Sequence, residues 1–202
     1  MTSDRRLRIG GWAALLVALF VPLQFVLLFL GSRDPNPFST TPYLVVETAR
    51  IVAAFVAVVG LDGLFRSIAP GPARFVLAVG SVAGVIGLAS AGATFAGLPT
   101  GAIDTVLFLA ANVLLGAWFL GSGGILMREG GGLARVGWTA ELGGLGMILT
   151  AFAIAVPFGG VVGVTGTSIV DWFHILGLFV VIYLVRIWRY VVGGKLPGPG
   201  IL

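Results

Sequence analysis

Two short spacings hold most of the side chains in this sequence that could do chemistry. Glu47 stands three residues before Arg50, and Asp171 stands three residues before the only histidine, His174. On a helix, an i, i+3 spacing puts both groups on one face, about 4.5 Å apart along the axis. Such a pair is either a local ion pair or half of a proton-responsive or solute-binding site. His174 is the member whose reference titration lies near neutrality. Asp104 is a third acid in a similar position, at the start of an apolar run. Glu47, Arg50, Asp104, Asp171 and His174 are therefore the candidate polar cluster. Gln24 and Asn112 are polar groups in mid-run, either glue between helices or ligand contacts.

The elements that carry these residues are apolar. The chain has 202 residues, of which 58% are hydrophobic and 10% charged, with a mean hydropathy of +1.09. Soluble domains carry about a quarter charged residues, so this surface is not built for water. That composition excludes an ordinary cytosolic enzyme, a nucleic-acid-binding module and a disordered chain. A membrane span needs roughly 20 mostly apolar residues. Six runs qualify, at about 9–31, 43–65, 75–97, 102–127, 137–157 and 169–192. The expected fold is thus all-α, a polytopic bundle of six transmembrane helices in one domain covering 1–202. Turn residues separate the runs: Pro35, Pro37 and Pro42, then Pro70-Gly71-Pro72, Pro99, Gly130-Gly131-Gly132, and the stretch from Gly159 to Ser168. The first run is too long for the apolar region of a signal peptide, so it is read as an uncleaved span.

Basic residues set the orientation. With the N-terminus inside, the inner segments hold Arg5, Arg6, Arg8, Arg66, Arg74, Arg128, Arg135, Arg186, Arg189 and Lys195, whereas the outer loops hold Arg33 alone. This is the positive-inside pattern, and it puts both termini in the cytoplasm. Under it the five candidate residues fall in the outer half of the bilayer. A charge at membrane depth costs about 2.5–3.5 kcal/mol by insertion scales, so each one needs a partner or a purpose. Asp62 stands four residues before Arg66, the favourable order for an ion pair. Glu141, about one turn into the fifth span, reads as an anchor to Arg135 or to an arginine of another span.

Glycine supplies 32 residues, more than twice the usual share of about 7%. Small residues let membrane helices approach closely. Gly80, Gly84 and Gly87 in the third span, and Gly143, Gly144 and Gly146 in the fifth, are the expected packing faces. Gly121-Ser122-Gly123-Gly124 has the look of a phosphate loop without its strand or lysine, and it too reads as packing. The segment Asp62–Arg66 with Ala73-Arg74-Phe75 matches Gly124–Arg128 with Ala134-Arg135-Val136 at an offset of about 62 residues. This is either a duplicated hairpin or the arginine-turn-arginine pattern of any inward hairpin.

Several chemistries lack their residues. With no cysteine there is no disulfide, thiolate metal site or thiol catalysis, and no metal site is expected. One histidine excludes a bis-histidine haem, leaving a single haem or chlorin on His174 as the one cofactor the residues could hold. Lys195 lies beyond the last span, so no retinal Schiff base can form within it. No hydrolase or metalloprotease motif appears, and the chain is not read as an enzyme.

The stretch Ala117-Trp118-Phe119-Leu120 through Met127-Arg128, then Ala134-Arg135-Val136-Gly137-Trp138 and Leu142-Gly143-Gly144-Leu145-Gly146, resembles a bacterial family of small six-span integral membrane proteins of unknown function. Glu47-x2-Arg50 and Trp172 add to the likeness. The resemblance implies an all-helical bundle in a prokaryotic plasma membrane and assigns no functional residue. Three roles follow from the sequence: a non-catalytic accessory subunit packing with lipid, pigment, other membrane subunits or its own copies; a carrier or channel for a small solute or proton; or a binder or sensor of a hydrophobic ligand. Convergence of the acids on a water-filled cavity would favour the last two.

Overall fold

The computed structural model describes residues 2–31, 40–96, 101–155 and 166–193. It is all-helical over those residues, with α1 Thr2–Leu30, α2 Thr41–Ile68, α3 Pro70–Phe95, α4 Gly101–Glu129, α5 Gly131–Ala155 and α6 Gly166–Gly193. Among the described residues, four stretches are long and apolar enough to cross a membrane: Asp4–Leu27, Thr41–Ile68, Pro70–Phe95 and Val106–Glu129.

The breaks are tighter than turn chemistry suggests. Ala69 alone separates α2 from α3, and Gly130 alone separates α4 from α5. The expected Pro70-Gly71-Pro72 loop is instead the first turn of α3. Proline is tolerated there because the first amides of a helix have no intrahelical acceptor. Pro42 is likewise inside α2, in its first turn, rather than in a loop. Gly130 and Gly131 take positive φ of 79° and 54°, a region that suits glycine. Ala69 turns its corner in an ordinary negative-φ conformation, at φ −146° and ψ 83°. The two hairpins therefore share arginine placement and a one-residue break, yet turn by different backbone geometry.

Each helix packs against its neighbours in sequence, and α1 against α6 closes the ring. The fully buried side chains gather toward the end holding the Ala69 and Gly130 breaks. Leu61, Phe65, Trp118, Leu126, Val136, Tyr183, Leu184 and Ile187 are all at most 2% exposed. Toward the other end Phe29, Val45, Phe95, Val106 and Phe152 are exposed. Exposed apolar side chains also occur at the packed end, Phe75 and Trp138 among them, so both ends of the bundle present apolar surface outward.

Close approach of backbones makes the ring possible. Gly10 of α1 meets Gly60 of α2, where a Cβ on Gly10 would stand 2.6 Å from the Gly60 carbonyl carbon. In the α4–α5 seam, Gly123 meets Gly137 and Gly116 meets Gly144, two crossings seven residues apart in antiparallel register. A Cβ on Gly123 would stand 2.6 Å from the Gly137 carbonyl oxygen. The expected packing glycines lie at similar seams. Gly80 receives Val58 of α2 and Trp118 of α4, Gly84 receives Phe55, and Gly87 receives Ile51. Gly143 is against the Val180 backbone of α6, and Gly146 is buried.

Candidate functional site

Position 47 is part-way along α2, on the face turned toward α1. The α1–α2 contact runs antiparallel, with Gly10 against Gly60 at one end and the Arg6 Nε donating to the Val59 carbonyl at 3.2 Å. That register carries Gln24 of α1 to the level of Glu47. The Gln24 amide nitrogen donates to Glu47 Oε2. Arg50, one turn further along α2, donates from NH2 to Glu47 Oε1 at 2.6 Å and from Nε to Oε2 at 3.1 Å. This two-pronged match of guanidinium and carboxylate is the strong form of the interaction. Both charged side chains are only 13% exposed, so the pair is largely withdrawn from its surroundings. Gln24 is itself buried.

Both carboxylate oxygens of Glu47 are thus occupied by donors from two helices. The group neutralises Arg50 and ties α1 to α2. Removing either charge would leave the other buried and unmatched, which is the costly case. Gln24, read from the sequence as a mid-run polar group, is the residue that turns a local i, i+3 pair into a link between helices.

The remaining members of the candidate cluster lie elsewhere in the ring. Asp104 is in the first turn of α4, and Asp171 and His174 are in the opening turns of α6. Their side chains are outside the described residues. Asn112, in the middle of α4, donates to the Phe108 carbonyl of its own helix at 2.8 Å. Its amide is taken up by local backbone. At the other end, Asp62 is 5% exposed and takes Arg66 Nε at 2.8 Å.

A second buried group was not legible in the sequence. Trp118 of α4 has its ring edge-on to Phe65 of α2 and to Tyr183 of α6, with centroids 6.0 and 6.5 Å apart. Phe119 completes the set, 5.5 Å from Tyr183. The Tyr183 hydroxyl donates to Ser122 Oγ at 3.4 Å, and Ser122 donates to the Phe119 carbonyl at 3.0 Å. Ser122 and Gly123 of the glycine-rich stretch are buried inside α4, which leaves them no access to a phosphate. The indole nitrogen of Trp118 is buried without a hydrogen-bond partner among the described residues. No periodic signal marks these aromatics, because lipid-facing and core-facing side chains of a membrane helix are equally apolar.

A shallow surface groove between α4 and α5 is apolar. It has a volume of about 480 Å³ and opens between α4 and α5, lined by Val106, Leu109, Val113 and Leu114 on one side and Ala151 and Phe152 on the other. Val106 and Phe152 are more than half exposed, so this is a groove on the outer surface of the ring rather than an enclosed chamber. Among the described residues, no group of acids and histidine is gathered in a way that could hold a metal ion.

Comparison with family models, with curated proteins and with solved structures returned no match to this chain.

Proposed function

We propose that this integral membrane protein is a non-catalytic accessory subunit that packs with lipid and with partner membrane helices. In this reading all six helices cross a prokaryotic plasma membrane, with both termini in the cytoplasm. The observation that carries it is the state of Glu47: both its oxygens are taken by Arg50 and Gln24, so this largely buried carboxylate serves as a clamp between α1 and α2. Two further features support the reading. Glycine seams bring the backbones of α1 and α2, and of α4 and α5, into contact, as in a scaffold held by packing. The α4–α5 groove presents an open apolar surface of about 480 Å³, suited to an acyl chain or a neighbouring helix. The reading calls for no cofactor on His174.

Native mass spectrometry on protein gently extracted from its own membranes, with an absorbance spectrum of the same sample, tests the proposal. A stoichiometric partner subunit or retained lipid is the expected result. A bare, lipid-free and partner-free species would overturn it. In that case the carrier reading would be next, tested by solute flux with Glu47, Arg50, Asp104, Asp171 and His174 substituted.

A further inference from the structure

Arg135 of α5 and Arg186 of α6 are 51 residues apart in sequence, yet the fold brings them together: Arg186 donates from Nη1 to the Arg135 main-chain carbonyl at 3.4 Å. Gly143 against the Val180 backbone sets the antiparallel register of the two helices. Both arginines lie about two turns from that crossing, toward the Gly130 break. Arg189, three residues further along α6, shares the side of that helix that carries Arg186. Arg135 and Arg189 are exposed, and Arg186 is half-buried.

Among the described residues, no carboxylate lies within ion-pair distance of these three arginines. The acid that the sequence suggests as an anchor for Arg135 is Glu141, and the packing turns it away. Its stem crosses α4 over Gly123, where an added Cβ would meet Glu141 Cγ at 2.8 Å. Its Oε1 lies over Gly124, 3.6 Å from where a Cβ would be. Two successive glycines thus cut a notch in α4 that the side chain fills. Glu141 faces α4, and Arg135 is left at the α6 edge of α5. The other described acids at this end are Asp4 at the start of α1, Asp62, which is held by Arg66, and Glu129 in the last turn of α4.

Orientation in a membrane calls for arginines at this end of the bundle, and any position there would serve. It does not call for two of them to be held together, since like charges repel. A shared anion removes that repulsion, and the planar guanidinium is suited to gripping two phosphate oxygens at once. The main-chain contact fixes the Arg186 guanidinium, whose Nε and Nη2 are further donors. Trp138, one turn from Arg135 along α5 and 58% exposed, borders the group on the side away from the Gly130 break. An exposed indole beside a cationic rim is the arrangement found at headgroup level.

We propose that Arg135, Arg186 and Arg189 form a site on the α5–α6 seam for the phosphate headgroup of an anionic phospholipid of the cytoplasmic leaflet. Basic pockets between spans on that side are suited to such headgroups. The inference rests on the proposed reading of a spanning bundle that packs with lipid, and it names the class of lipid.

Native mass spectrometry of the full chain in detergent, supplied with equal amounts of phosphatidylglycerol and phosphatidylcholine of matched acyl chains, tests it. Phosphatidylglycerol is expected to be retained over phosphatidylcholine by about tenfold. Arg135→Gln/Arg186→Gln is expected to bring the two lipids to within about twofold of each other. Arg5→Gln/Arg8→Gln, which removes the same charge from exposed positions on α1, is expected to keep the preference. The wild-type ratio does not depend on how any variant folds. Equal retention of both lipids by the wild-type chain overturns the proposal and leaves the lipid-packing reading intact, whereas retention of neither overturns both. A preference that survives in the α5–α6 variant, or that falls equally in the α1 variant, overturns the proposal, because net charge would then carry it. Displacement of bound lipid by millimolar glycerol 3-phosphate would make this a site for a soluble phosphate and overturn the lipid assignment.

Discussion

Gly10 and Gly60 touch through their backbones where α1 crosses α2: a Cβ added to Gly10 would come within 2.8 Å of the Gly60 Cα. The same crossing sets the register that brings Gln24 to Glu47 further along the pair. Local packing of two glycines and a distant polar link are therefore parts of one interface.

Alanine at either position forces α1 away from α2. Gly60→Ala is expected to lower stability by about 1–3 kcal/mol, the usual cost of inserting a methyl group into a filled site. Gly63→Ala, one turn along, meets nothing within 4 Å and removes a helix-weakening glycine, so it is expected to be neutral or slightly stabilising. Denaturant unfolding in detergent micelles measures both.

The Glu47–Arg50 clamp makes a prediction about order of removal. Glu47→Gln leaves Arg50 buried without its counter-charge and is expected to cost about 3–5 kcal/mol. The double variant Glu47→Gln/Arg50→Met is expected to recover most of that loss, because neither charge remains to be desolvated. Gln24→Leu removes one interhelical hydrogen bond, with an expected cost of about 0.6 kcal/mol. A double-mutant cycle over Glu47 and Arg50 reads the coupling directly.

Trp118 ties α4 to three other helices by its position against Gly80 of α3, Phe65 of α2 and Tyr183 of α6. Trp118→Ala is expected to destabilise by about 3–5 kcal/mol through the cavity it leaves. Tyr183→Phe gives up only a 3.4 Å hydrogen bond to Ser122 and is expected to cost less than about 1 kcal/mol. Unfolding midpoints of the two variants, compared side by side, check the contrast.

The absence of native cysteine makes orientation directly testable. Single substitutions Gly71→Cys and Glu129→Cys are expected to react with a membrane-impermeant maleimide only from the cytoplasmic side, and Thr41→Cys only from the opposite side. These positions are exposed in the structure. Labelling of all three from one side would overturn the proposed topology.

The sequence by itself is enough for whatever depends on a single helix. Length and hydropathy locate six helical runs, and three- and four-residue spacings pair Glu47 with Arg50 and Asp62 with Arg66, because neighbours on a helix face are fixed by its pitch. Pro70 and Pro42 read as loop residues, since a first-turn position and a loop position look alike in one dimension. Relations between helices are decided only by the tertiary structure. That Gln24 reaches Glu47, that Gly116 and Gly123 meet Gly144 and Gly137, and that Glu141 has a glycine notch in place of an arginine all depend on which faces turn toward one another. In a soluble bundle an apolar stripe would have marked those faces. Here Phe75, 73% exposed, and Phe65, 2% exposed, are equally apolar, so hydropathy does not tell core from surface, and shape complementarity makes the choice.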